Sequence, residues 1–68
     1  MRKVENITLS EFFEKLSNYM DNGDKLYVKY DTDENGDDDY GNKIYSVYNS
    51  CDNIIWEYFE KTSNLCVY

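Results

Sequence analysis

Asn53-Ile54-Ile55-Trp56-Glu57-Tyr58-Phe59-Glu60-Lys61 is the stretch on which the fold turns, because its apolar residues satisfy two periods at once. At 3.6 residues per turn, Ile54, Ile55, Tyr58 and Phe59 share one face, with Asn53, Glu57, Glu60 and Lys61 opposite and Asp52 as a cap. At a period of two, Ile54, Trp56 and Tyr58 line one side of a strand that ends in a Thr62-Ser63-Asn64 turn. We take the helical reading, which gives a second helix over 53–62. In either case Leu65-Cys66-Val67-Tyr68 adds a C-terminal edge strand.

The segments upstream are less ambiguous. Lys25-Leu26-Tyr27-Val28-Lys29-Tyr30 alternates as a strand, with Leu26, Val28 and Tyr30 on the core face. Lys43-Ile44-Tyr45-Ser46-Val47-Tyr48 is a second strand, rich in β-branched and aromatic residues. An Asn35-Gly36 turn signal lies between them, so the two form a hairpin, 25–31 with 43–49. Nearer the start, Thr8-Leu9-Ser10-Glu11 is a capping box, and Ile7 with Phe12 forms the matching hydrophobic staple. Leu9, Phe12, Phe13, Leu16, Tyr19 and Met20 then recur at helical spacing up to Gly23, which predicts a helix over 9–21. No repeat and no Pro/Gly/Ser linker divides the chain, so 1–68 reads as a single domain. The expected class is α+β, with the N-terminal helix packed on a short antiparallel β-sheet. A domain of this length buries only about 60% of its unfolded surface, which leaves little room for a cleft with a supporting shell.

Composition narrows the function. Fourteen Asp and Glu against seven Lys and Arg give a net charge of −7, which repels nucleic acid and anionic membrane alike. Basic proteins or cations are the favoured partners. The chain holds no His, the commonest general base, so neither a Ser–His nor a Cys–His nucleophile can be assembled from it. We therefore expect a protein that is not an enzyme. Cys51 and Cys66 lie fifteen positions apart and outside any CxxC. They read as free thiols in a reducing compartment, with a single disulfide as the other option. No run approaches the roughly 18 apolar residues of a membrane span. Met1-Arg2-Lys3 leads into Val4-Glu5-Asn6 rather than an apolar signal core, so a cytoplasmic location is expected.

The segment joining the two hairpin strands carries the functional signal. Asp31, Asp33, Glu34, Asp37, Asp38 and Asp39 put six carboxylates into nine residues with no base among them. Alternate residues on a strand repeat at about 6.6 Å, so their charges fall at spacings a phosphate-binding groove can meet. Tyr40 beside them, and Trp56 if the last element is helical, would be apolar anchors, since amphipathic aromatic side chains contribute strongly at protein interfaces. A different reading takes Asp31 to Asn42 as a calcium loop. Oxygen donors at Asp31, Asp33, Asn35 and Asp37, with Gly36 at the bend, resemble the EF-hand pattern. Asn42 stands where the EF-hand has a bidentate Glu, and Asp38 where it has an apolar residue. On that alternative the chain is a calcium- or cation-stabilised structural or accessory domain. A plain solvated loop is the third possibility.

In length, charge and arrangement, a helix leading into a hairpin whose tip is Asp31–Asp39, the chain resembles the small acidic anti-defence proteins of phages and mobile elements, anti-CRISPR proteins in particular. The likeness is of type and not of motif. A composition rich in Asn, Lys, Asp and Tyr, with no Ala or Gln, fits a low-GC genome. The resemblance implies inhibition by nucleic-acid mimicry, with the acidic residues occupying a basic DNA- or RNA-binding surface on a CRISPR effector. No cofactor is expected, and the net charge argues against direct contact with nucleic acid. On the resemblance the site is the cytoplasm of a bacterial host.

Overall fold

The first helix begins where the capping box places it. In the computed structural model, which describes residues 2–68, Thr8 Oγ1 accepts from the Glu11 amide at 3.2 Å. Glu11 Oε1 accepts from the Thr8 amide at 3.0 Å, so two of the donors a helix leaves unpaired are satisfied reciprocally. Helix α1 runs Leu9–Tyr19 and ends with the Met20 amide bonded to the Leu16 carbonyl at 3.1 Å.

Around it lie β1 (Lys3–Asn6), β2 (Lys25–Thr32), β3 (Asp38–Tyr48), β4 (Ile54–Phe59) and β5 (Asn64–Val67). They form one antiparallel sheet in the order β1-β5-β4-β3-β2. The helix expected over 53–62 is therefore strand β4, and the α+β class with two helices is overturned. Strands hold 49% of the chain and helix 16%, so the fold is closer to all-β.

Two features decide the ambiguous stretch. Asn49 Oδ1 accepts from the amides of Cys51 at 2.9 Å and Asn53 at 3.0 Å, which closes a tight turn. Asp52, read above as a cap, sits there at φ 61°, whereas a capping residue needs extended backbone. The turn delivers the segment into a slot between two strands. Tyr58 there faces Tyr45 on one side and Leu65 on the other. Ladders on both edges outweigh the helical period. The C-terminal segment is likewise no edge: β5 lies between β1 and β4.

The core lies under α1. Phe12, Tyr45, Val47, Tyr58 and Leu65 are buried together, with Ile7, Leu16, Met20 and Trp56 packed against them. Phe12 stacks on Tyr58 with ring centroids 4.8 Å apart and planes 9° from parallel. The Tyr58 hydroxyl donates to the Ile7 carbonyl at 2.9 Å, so its polar end is not stranded in the core. Tyr45 points inward, lying between Val28 on one side and the buried Tyr58 on the other, under Phe12. The other face carries Ile44, Ser46 and Cys66, all buried. Cys51 is exposed, and both cysteines are free. Among the described residues no helix is long and apolar enough to cross a membrane.

Candidate functional site

The acidic segment forms the closed end of the β2–β3 hairpin. Asp31 closes β2 with Thr32, Asp33 to Asp37 make the turn, and Asp38, Asp39 and Tyr40 open β3. Asp33 builds the turn itself. Its Oδ1 accepts from the amides of Asn35 at 2.9 Å and Asp37 at 3.0 Å. Its amide donates to the Asp37 carbonyl at 2.8 Å, and Gly36 supplies the left-handed residue at φ 84°. The tip is thus tied down by its own aspartate, and Glu34, Asp37 and Asp38 project from it exposed.

The stem places like charges face to face. Asp31 pairs with Asp39 and Thr32 with Asp38, so two carboxylates stand directly opposite on one side of the ladder, a destabilising arrangement. Local donors take part of the load. Asp31 accepts from the Thr32 amide at 2.9 Å and from Asn42 Nδ2 at 3.2 Å, and Asp39 accepts from the Gly41 amide at 3.1 Å. Lys61 Nζ approaches Asp39 Oδ2 at 3.7 Å. Among the described residues, that is the one ion pair reaching any of the six acids. The molecule is elongated, 37 × 24 × 23 Å.

Tyr40 belongs to this end. It is 75% exposed and rests edge-on against Tyr30, with centroids 4.9 Å apart. Tyr30 was read as a core residue, yet it stands in the open beside the acids, with Lys43 Nζ 5.8 Å from its ring. The local signal for its role is the three-residue irregularity in β3, which no side-chain pattern announces. Register passes from Tyr30 opposite Lys43 to Asp31 opposite Asp39, so Tyr40, Gly41 and Asn42 have no residue across from them. Trp56 is not part of the site: on a strand it turns to the helix side, half-buried and edge-on to Tyr19 at 6.5 Å.

The calcium-loop residues do not come together as an EF-hand. Asp31, Asp33, Asn35 and Asp37 lie in a hairpin flanked by strands, and the Asp33 carboxylate is already spent on two amides. Asn42 turns its amide nitrogen toward Asp31 instead of offering an oxygen. Among the described residues no three His, Cys, Asp or Glu side chains are gathered as metal ligands.

A concavity of about 320 Å³ lies on the sheet face away from α1. Tyr27, Lys29, Ser46, Tyr48 and Asp52 line it, and the rings of Tyr27 and Tyr48 meet edge-on at 5.6 Å. The Thr8 amide holds the Glu11 carboxyl below its usual range, and the Lys3 hydrogen bond does the same for Glu5. Burial, then a hydrogen bond to Glu60 at 3.1 Å, raises the Tyr45 phenol. The bond to Glu57 raises that of Tyr68. Comparison of the chain with protein-family models, curated proteins and solved structures finds no match.

Proposed function

We propose that this protein is a non-enzymatic inhibitor whose acidic hairpin end occupies the basic groove of a nucleic-acid-handling protein, a CRISPR effector or another DNA- or RNA-handling defence protein. One observation carries the reading. Asp31 and Asp39 oppose each other on the stem while Glu34, Asp37 and Asp38 stand exposed beyond them, and one lysine reaches the group. A self-bound turn holds these charges in place, so a cationic groove gains attraction and also relieves repulsion already present in the fold. Tyr40 and Tyr30 supply an aromatic contact beside the charges.

The test is a competition experiment against guide-loaded CRISPR effectors, reading displacement of their target DNA or RNA. The native chain is expected to inhibit at least one, with an association rate that falls as salt rises. Replacing Asp37, Asp38 and Asp39 together by Asn is expected to slow association by about tenfold or more, within the range electrostatic steering provides. Folding is expected to change little. Unchanged inhibition by the triple variant would discard the mimicry.

A further inference from the structure

Strand β2 is one of the two outer strands of the sheet, with β1 at the other edge, and all eight of its residues are exposed. Its Leu26, Val28 and Tyr30 share a side with the buried Tyr45 and Val47, yet all three remain exposed, Val28 by half. A long edge with unpaired backbone groups and an uncovered apolar row is a template for another strand. We propose that β2 pairs antiparallel with β2 of a second copy, about a two-fold axis through Val28, joining two five-stranded sheets into one of ten.

The occupant and the register follow from the sequence of the strand itself. Residues directly opposite in an antiparallel ladder lie on the same side of the sheet. Centring on Val28 sets Leu26 opposite Tyr30 of the second copy and Val28 opposite its own counterpart, so the apolar rows meet. On the other side Lys25 faces Asp31 of the second copy, an opposite-charge pair, and Tyr27 faces Lys29, an aromatic ring beside a cation. The neighbouring two-fold registers lack this match. Centring on Tyr27 sets Lys25 against Lys29, and centring on Lys29 sets two copies of that lysine against each other. Of the three central registers, the one through Val28 alone is complementary to itself on both sides of the sheet, as an isologous interface requires. The β3 irregularity leaves β2 uninterrupted through Thr32, so the edge remains available along the whole match.

This pairing does not depend on the proposed inhibitor role, and salt separates the two. Contact of the acidic end with a basic groove weakens as salt rises. Association of two copies, each carrying −7, strengthens, because repulsion over distance is screened. The experiment is sedimentation of the full chain, together with cross-linking of two variants that each add one cysteine, V28C and L26C, in a C51S background that removes the exposed native thiol and keeps the buried Cys66. At submillimolar concentration the native mass is expected to approach twice 8.2 kDa, more fully at high salt. Under mild oxidation V28C is expected to form a disulfide dimer, since opposed Cα atoms about 4.5–5.5 Å apart suit the bond. L26C is not, because its counterpart lies four residues along, about 13 Å away. Lys25→Asp is expected to weaken the dimer and the added Asp31→Lys to restore it. A monomeric mass at about 1 mM in high salt, or equal cross-linking at both positions, overturns the proposal. So would a higher-order mass or pairing through β1.

Discussion

The two ends of this sheet are built on opposite plans. Under α1, strands β3, β4 and β5 bury Tyr45, Val47, Tyr58 and Leu65 around Phe12, and each central strand is paired on both sides. At the other end, β2 is paired on one side and covered on neither, and the hairpin it shares with β3 runs out into six acids. Buried packing is concentrated in one region, and exposed charge and unpaired backbone in the other. In so small a domain this separation lets charge accumulate without breaking the core. The repulsion acts where there is little packing to lose.

That contrast can be broken or sharpened by measurement. The largest expected effect is Phe12→Ala, at about 3–5 kcal/mol for a large aromatic removed from a core. A domain is stable by only about 5–15 kcal/mol, so most of the fold's margin goes with it. Val28→Ala on the bare strand is expected to cost less than about 1 kcal/mol, as exposed substitutions do. Urea midpoints of the two variants decide the matter, and equal losses would erase the distinction. Tyr58→Phe is expected to cost about 1–3 kcal/mol, because the Ile7 carbonyl loses its partner in a part-buried place. The same denaturation measurement reads it.

The smallest effect is a dependence on alkali. The Tyr45 phenol is raised in the folded chain, by burial first and by Glu60 second. Its contribution is therefore complete below the unfolded phenol value of about 10 and lost as pH rises through the higher folded value. Melting temperature is expected to fall more steeply above that point in the native chain than in Tyr45→Phe. Parallel curves would mean that Tyr45 does not feel the core around it.

How much of this was legible in the sequence depended on whether a signal was local. Thr8 and Glu11 define the helix start because both halves of a capping box lie within four residues. The 25–48 hairpin was legible from alternation and the Asn35-Gly36 turn, and its acidic end was plain from charge alone. The segment 53–61 was not. Its residues fit helix and strand equally, and the choice is made by β3 and β5, which flank it in space but not in sequence. The local clue was Asn49 to Asn53, a turn that Asn49 ties by side-chain bonds and in which Asp52 takes a left-handed conformation. Strand β1 offered no periodicity, since Val4 is its one aliphatic residue. It is held by pairing with β5. Nothing in the neighbourhood of Tyr45 distinguishes the two sides of β3, and its pairing with Tyr58 decides them. Trp56 lost its place in the site with the helix that would have exposed it.

The interior position of β5 has a consequence for the life of the polypeptide. Its four residues zip to β1 on one flank and to β4 on the other, joining Lys3 to Val67 across nearly the whole length of the chain. Distant pairings of this kind slow folding, and the first-made strand has to wait on the ribosome for a partner made sixty residues later. A protease that trims Asn64–Tyr68 would remove far more than a frayed end. It would orphan β1 and lay bare the flank of Ile54–Phe59, an apolar, aromatic hexapeptide carrying a single charge, which is the kind of segment that seeds amyloid.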